Sequence, residues 1–479
     1  MEYSIIPFSQ VRKSSESLRL DAEYFQVEKL LEKIRRLKTV KLSRGSIWIT
    51  QGPNPKFSTE GIPCLTGRNI ADGTLNFNDS DMVNQKEFEK LSRFKLRKND
   101  LIITLKGAGS TGKIAIYYSD QKAIFSRNLG LIRLNDMLSP FAAFVYLTSS
   151  VGQSIIDRGV TGGTGQLTLS TSYLKDLAIP KFNDSFCRIL SELMILHFNG
   201  LGVSQTLYQQ AEQILLAELG LVNWKPKHRL SFIKNFSNTQ TSERIDAEYF
   251  QPKYEEIKNL FEKNTKVEIL ENITKLIGHP SNPPYGAEDL NNKTFVVTQK
   301  HLGNYFPSDN FWEDPEALYT TDIFIKNNKQ YILQSNDIIL YSVGAYIGKA
   351  NIYNSNIKAT IGSFLTLIRP DQEKINPYYL LVFLNSEVGK QMTRRCSRGM
   401  AQQYVYPYDI RKFIIPIISK LRQDEIEKTM LESLNAKALS KHLLDIAKRG
   451  VEMAIEKDEA IAEKWIRAEI KKLGVEITV

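Results

Sequence analysis

Asn282-Pro283-Pro284-Tyr285 spells the tetrapeptide with which amino-methyltransferases hold a target amino group. In that chemistry the Asn side chain and a proline carbonyl accept hydrogen bonds from the amine, and the Tyr stacks on a flipped base. The surroundings argue for a plainer role. An internal repeat maps the segment onto Asn54-Pro55-Lys56-Phe57, which lacks the second Pro. No Gly-rich strand-to-helix turn lies upstream to hold S-adenosylmethionine. The expected role is a proline-stiffened loop after the first strand of a module.

Gly107-Ala108-Gly109-Ser110-Thr111-Gly112-Lys113 contains a GxGxxG and nearly satisfies the P-loop spacing. Position 114 is Ile, where a P-loop needs Ser or Thr for magnesium. Both patterns also require a helix to start here. The next residues, Ile114-Ala115-Ile116-Tyr117-Tyr118, are strand-like instead. The second copy, Val343 to Lys349, keeps only part of the glycine pattern. A tight turn presenting N–H groups with Lys113 or Lys349 to a DNA phosphate is the better expectation.

The segment Met392 to Tyr404 places Arg394, Arg395 and Arg398 beside Gln402 and Gln403 in a Gly-containing loop. Arg reads guanine edges and Gln reads adenine edges in the major groove. The matching loop, Arg158 to Gln166, keeps one Arg of the cluster, so the two loops would not read the same bases. Solvation alone would explain such loops as well. The five His (197, 228, 279, 301 and 442) lack ligand spacing and are expected at the surface. Neither a metal site nor a cofactor is expected.

These loops hang on a tandem duplication. Arg19-Leu20-Asp21-Ala22-Glu23-Tyr24-Phe25-Gln26 returns as Arg244-Ile245-Asp246-Ala247-Glu248-Tyr249-Phe250-Gln251. Asn99-Asp100-Leu101-Ile102 answers Asn336-Asp337-Ile338-Ile339, Gly112-Lys113 answers Gly348-Lys349, and Ile179-Pro180 answers Ile415-Pro416. The second copy carries about a dozen extra residues in its early part. A unit this long is no solenoid repeat.

Each copy starts with an entry helix, roughly 22–37 in the first. Short β-prone runs come next at 47–50, 100–104, 113–118 and 129–133, interrupted by a helical stretch at about 139–157. The pattern predicts a compact mixed module with a strongly curved sheet. Phe186, Leu190, Leu193, Met194 and Phe198 then recur at helical spacing. Asn199-Gly200 interrupts the stripe before it resumes at Leu207, Ala211, Ile214, Leu215 and Leu219, with Gly220 as C-cap. A second helical region, about 421–472, carries Ile426, Met430, Leu434, Leu443, Ala447, Val451, Ile455, Ile461 and Trp465.

The fold class is α+β: a duplicated β-rich module followed each time by a long helix, the two helices packing antiparallel. The expected domains are 1–180, spacer helix 181–220, linker 221–243, second module 244–417, and helix with tail 418–479.

The net charge of +10 and pI of about 9.1 favour a polyanionic partner. Three scattered Cys fit a reducing compartment and offer no disulfide framework. The N-terminus lacks a secretory pattern, and no apolar run is expected to span a bilayer, so a cytoplasmic protein is expected.

The ordered, twice-repeated motifs resemble the specificity (S) subunit of type I restriction-modification systems. They run from Arg-x-Asp-Ala-Glu-Tyr-Phe through Ile62-Pro63-Cys64-Leu65-Thr66 (matched by Phe295-Val296-Val297-Thr298) and the Asn-Asp-Leu/Ile-Ile strand. The Gly-Lys-x-x-Ile-Tyr hairpin, the Gly/Gln loop and the Ile-Pro helix entry complete them. The resemblance implies two target-recognition domains reading double-stranded DNA with a bipartite site, and two antiparallel spacer helices. It also implies two docked methyltransferase (M) subunits and motor-nuclease (R) subunits, with no catalysis in this chain.

The expected DNA-contacting residues are Lys56, Arg68, Lys106, Lys113, Arg127 and Gln166 in the first module. In the second they are Tyr285, Gln299, Lys300, Lys349, Arg394, Arg395, Arg398, Gln402 and Gln403. The rival readings are an adenine-N6 methyltransferase using Asn282 to Tyr285, and a protein-binding scaffold.

Overall fold

The computed structural model describes residues 9, 27–71, 73–77, 80–107, 109–162, 167–286, 293–302, 317–344, 346–399 and 402–477. The first copy of the Arg-Leu-Asp-Ala-Glu-Tyr-Phe motif and Gln166 lie outside them. The chain divides into two units, Met1–Gly202 with Lys437–Val479, and Val203–Ala436. The division crosses both long helices instead of falling in the 221–243 linker.

In the first unit, helix α1 (Glu28–Arg35) leads into β1 (Thr39–Lys41), which pairs with β9 (Ala178–Pro180). Between them lie β2 (Ser46–Gln51), β3 (Ile62–Leu65), β4 (Asp81–Val83), β5 (Leu101–Thr104), β6 (Ile114–Ile116), β7 (Ile124–Phe125) and β8 (Leu129–Leu134). They form two sheets where the sequence suggested one curved sheet. One is antiparallel with order β2-β8-β5-β6, and the other has order β4-β3-β7 with β3 and β7 parallel. The expected helical stretch is two helices, α2 (Pro140–Thr148) and α3 (Ser150–Arg158). Ser149 separates them, because its hydroxyl accepts from Gly152 N and restarts the helix.

The second unit repeats the plan. After α5 (Pro252–Asn264) come β10 (Lys266–Ile269), β11 (Thr274–Gly278), β12 (Thr294–Val297), β13 (Tyr319–Thr320) and β14 (Asp337–Tyr341). Next are β15 (Ala350–Tyr353), β16 (Ala359–Ile361), β17 (Leu365–Pro370) and β18 (Ile414–Ile417), with α6 (Pro377–Asn385) and α7 (Glu387–Cys396) after β17. The sheet orders are β11-β17-β14-β15 and β13-β12-β16, with β12 and β16 parallel. Ser386 caps α7 through Gly389 N, as Ser149 caps α3.

The repeated sequence words have physical causes. Asn99 and Asn336 hold left-handed backbone, φ 73° and 70°, which Asn tolerates better than most residues. The Asp after each takes a bidentate Arg from the next long strand. Gly112 and Gly348, φ 87° and 85°, turn the hairpins β5–β6 and β14–β15.

The long helices are α4 (Asp184–Glu218) and α8 (Lys420–Glu456). Asn199-Gly200 does not interrupt α4. One glycine costs about 1 kcal/mol, whereas buried Phe186, Leu190, Leu193 and Met194 each contribute about 1.5–3 kcal/mol. Gly220 ends α4 as expected, at φ 67°, with Leu221 N bonding Leu216 O and Gly220 N bonding Ala217 O in a Schellman arrangement.

In the second unit Ser433 Oγ donates to Ser204 O at 2.7 Å and Arg422 meets Glu218 at 3.0 Å, so the helices run antiparallel there. In the first unit His197 Nδ1 lies 2.7 Å from Ser440 O. The C-terminal helical region is broken. Asp458 caps a separate helix, α9 (Glu459–Lys472), by accepting from Ile461 N, and Ile461 of the expected stripe is exposed. By length and composition alone α4 passes for a membrane span, with mean hydropathy 1.2 over its most apolar 18-residue stretch, a test that the core helix of a soluble protein also meets. Its apolar stripe contributes Phe186 to Met194 to the core of the first unit and Ala211 to Leu219 to that of the second.

Candidate nucleic-acid interface

In the first module several loops converge at one end of the four-stranded sheet. The turn Ser126-Arg127-Asn128 is bolted down from three sides. Ser126 N donates to Leu65 O, Leu105 N to Asn128 O, and Gln51 Nε2 to Arg127 O. The β5–β6 hairpin joins it through Lys106 N to Asn128 O at 3.2 Å, and Thr111 Oγ1 reaches Leu167 O at 3.3 Å. Lys56, Lys106, Lys113 and Arg127 are exposed, which leaves them open to phosphates. Arg68 is exposed too, but it is paired with Asp81 at 2.6 Å. The hairpin is a strand-to-strand turn, as the sequence suggested, and no helix begins at Lys113 to face a nucleotide.

The second module builds the same end from its own loops. Ser342 N donates to Phe364 O, Gly362 N to Val297 O, Gly344 N to Gln403 O, and Val405 N to Ser342 O. Asn282 Oδ1 accepts from Ser363 Oγ at 3.2 Å, so the Asn-Pro-Pro-Tyr loop is tied to the 362–364 turn. Tyr285 is 53% exposed, and its counterpart Phe57 is 54% exposed. Gln299 is only half-buried but committed: its Nε2 donates to Val343 O at 2.6 Å. Lys300 is exposed, and Lys349 lies over the Tyr346 ring at 5.5 Å. Gln402 and Gln403 are exposed on the rim.

All three Arg of the expected reading loop have partners within the chain, Arg394 at the surface and Arg395 and Arg398 half-buried. Arg394 and Arg395 lie in the last turn of α7, and Arg394 pairs with Glu387 at 2.8 Å. Arg395 stacks on Tyr249 at 4.8 Å and on Tyr254 at 5.6 Å. Arg398 bonds Tyr408 Oη, pairs with Asp409 at 3.3 Å, and lies over the Tyr408 ring.

Tyr249 belongs to the second copy of the entry motif, and Tyr254 follows it in α5. Arg244 binds Asp246 at 2.6 and 2.8 Å and donates to Cys396 O and Ser397 O, the free carbonyls at the end of α7. Burial pushes the Asp246 carboxyl up, but the Arg244 hydrogen bonds and charge outweigh it and hold the carboxyl below its usual range. The motif is therefore a clamp on the base of the Gly/Gln loop. A cavity of about 830 Å³ lies beside this clamp, lined by Arg244, Tyr249, Arg395, Arg398, Tyr408 and Asp409 among others.

The candidates for catalysis are placed differently. Burial pushes the Cys64 thiol up to about 12, with Asp81 adding to it, and the Cys187 and Cys396 thiols up to about 11. Such thiols are poor nucleophiles at neutral pH. Two His expected at the surface are buried, His197 and His301. His301 Nδ1 accepts from Thr298 N and serves as a cap. Among the described residues no group of three His, Cys, Asp or Glu is arranged to hold a metal.

Residues 253–446 match the model of the type I restriction modification DNA specificity domain. Over 373 residues the chain is 22% identical to the MjaX type I restriction enzyme specificity subunit of Methanocaldococcus jannaschii, covering 76% of each chain. The second module is thereby matched to the type I DNA specificity domain, and the chain at large is similar to type I specificity subunits. Two similar solved structures are the type I restriction-modification S subunit from M. genitalium and the HsdS subunit from Thermoanaerobacter tengcongensis. The first has 13% identity, a TM-score of 0.34 and coverage of 92% of this chain and 97% of the other. The second has 15% identity, a TM-score of 0.27 and coverage of 88% and 97%.

Asn128 and Phe364 were not among the DNA-contacting residues expected from the sequence. Both lie in the turn between a parallel-paired strand and the long strand that follows, Asn128 beside Arg127 and Phe364 beside Ser363. Aligning the flanking strands Ile124–Phe125 and Thr360–Ile361 of the two copies would have exposed the divergence between them.

Proposed function

We propose that this chain is the DNA sequence-recognition subunit of a type I restriction-modification complex, each module reading one half of a bipartite site. The observation that carries the reading is the duplicated frame with unlike rims. The same sheets, hairpins and clamped Asp–Arg pairs recur, while the loops at one end differ in the residues they expose. Shared scaffolding beneath differing loops is how a protein presents two specificities on one architecture. Lys56, Lys106, Lys113, Arg127, Lys300 and Lys349 would meet phosphates or guanines, and Tyr285, Gln402 and Gln403 would meet bases. Arg68, Gln299, Arg394, Arg395 and Arg398 would hold the loops, and Gln166, outside the described residues, would contact DNA.

The antiparallel helices would set the distance between half-sites. Adenine methylation would belong to two docked M subunits and cleavage to R subunits reached through the complex, all in the cytoplasm. A protein partner has a surface to bind: Leu230, Ile233 and Phe236 stand exposed in the linker, and Ile245 at the start of the second module. The methyltransferase alternative is disfavoured by the position of Asn282, whose side-chain oxygen is taken by Ser363 in a loop equivalent to that of Asn54.

The test is methylome sequencing of a host expressing the complex. Exchanging residues 41–180 for those of a relative should change one half of the methylated motif. Change in both halves, or a motif indifferent to this chain, would refute the reading.

A further inference from the structure

The two copies place different side chains on one and the same turn. In both, the first residue of the turn donates its N–H to the neighbouring parallel strand, Ser126 to Leu65 O and Gly362 to Val297 O. In both, its carbonyl closes the turn, accepting from Leu129 N at 3.0 Å and from Leu365 N at 3.1 Å. In both, the third residue accepts from the hairpin strand, Asn128 O from Leu105 N at 2.8 Å and Phe364 O from Ser342 N at 3.2 Å. The backbone is thus fixed alike, and only the side chains change: Arg127-Asn128 in one module, Ser363-Phe364 in the other. A fixed backbone removes the entropy of searching for a pose, so side-chain identity alone decides what the turn recognises.

Phe364 is 60% exposed although it sits on a tight turn. Most of the ring therefore lies in water, open to an apolar contact from outside the fold. Its surroundings are the rim loops of the second module, with Ser363 bonded to Asn282 beside it. Arg127 and Asn128 are exposed at the matching place in the first module.

We propose that this turn determines one base pair in each half-site, an inference that rests on the recognition function proposed above. Phe364 supplies an apolar contact to the C5-methyl of a thymine. Asn128, the counterpart of Phe364, donates to and accepts from the edge of an adenine, while Arg127 holds the adjoining phosphate. The two half-sites consequently differ at the pair that faces this turn.

The experiment is methylome sequencing of a host expressing the full complex with wild-type chain, Phe364→Ala, Ser363→Arg/Phe364→Asn, or Arg127→Ser/Asn128→Phe. All four side chains lie at the rim, outside the cores. Phe364→Ala should relax one position of the second half-site, with roughly tenfold loss of discrimination there. The first double variant should change the base at that position, and the second should change one position of the first half-site only. An unchanged motif in the variants, or a change in the wrong half, overturns the proposal. A wild-type methylome that does not depend on this chain overturns the recognition function instead, so the two failures are distinguishable. If one double variant fails to accumulate, the other decides, since each acts in its own module.

Discussion

Arg133 grips Asp100 with two hydrogen bonds, Nε to Oδ1 at 2.8 Å and Nη2 to Oδ2 at 2.7 Å, and Arg369 grips Asp337 at the same two distances. Each Asp also accepts from a backbone N–H three residues upstream, Arg97 or Gln334. The pair ties the start of one sheet strand to its neighbour and fixes the strand that leads into the β5–β6 or β14–β15 hairpin.

Removing one side of such a pair leaves a buried charge unmatched, which costs about 3–5 kcal/mol. Asp337→Ala and Asp100→Ala should therefore each destabilise the unit that carries the pair by about that amount. Urea unfolding followed by intrinsic fluorescence measures it. A loss below about 1 kcal/mol in both would mean that the duplicated pair is not a strut.

His197 makes one unit sensitive to acid. Burial lowers its pKa below the usual value near 6.5, opposed by the bond to Ser440 O, with nearby Lys448 lowering it further. Nε2 has no hydrogen-bond partner among the described residues, so its protonation would bury an unmatched N–H. The folded unit then binds fewer protons than the unfolded chain below pH about 6.5. Stability is complete above that pH and falls as pH drops, by up to about 1.4 kcal/mol per pH unit. His197→Asn keeps a donor near Ser440 O and should flatten the unfolding midpoint between pH 7.5 and 5.5. An equally steep dependence in the variant would place the sensitivity elsewhere.

The local frame was readable in the sequence because its causes are local. Asn99, Asp100, Gly112 and Gly220 each announce a backbone conformation or a cap. What acts across the chain was not readable. Nothing near Arg398 says that its guanidinium is bound to Tyr408 and Asp409, so a loop of Arg and Gln read as one reading surface. The apolar stripe ran through Lys457-Asp458 because periodicity averages over a break that one cap produces. Conversely Asn199-Gly200 read as an interruption because propensity was weighed without the burial on either side.

Arg398 and Gln402 should separate cleanly. Arg398→Ala removes the anchor under the loop and should lower the thermal midpoint of its unit while relaxing specificity diffusely. Gln402→Ala should leave stability unchanged and relax one base of the second half-site, at about 1–3 kcal/mol of discrimination. Thermal unfolding and methylome sequencing together read both effects. The same outcome for both variants would dissolve the distinction between anchor and reader.

Asn282→Ala tests where methyl transfer happens. The side chain bonds Ser363, so its loss should loosen the link between the Asn-Pro-Pro-Tyr loop and the 362–364 turn. Pro283 remains buried and holds the loop's φ, so the fold should survive. DNA binding should weaken or become less selective, by about 1 kcal/mol for one neutral hydrogen bond. The chemical step should not change, because the flipped adenine would sit in a partner subunit. Single-turnover methylation by the reconstituted complex at saturating DNA isolates that step from binding. An unchanged rate with a several-fold weaker Kd fits a recognition loop. A collapse of the rate with normal DNA affinity would instead make Asn282 a catalytic residue and return the methyltransferase reading to this chain.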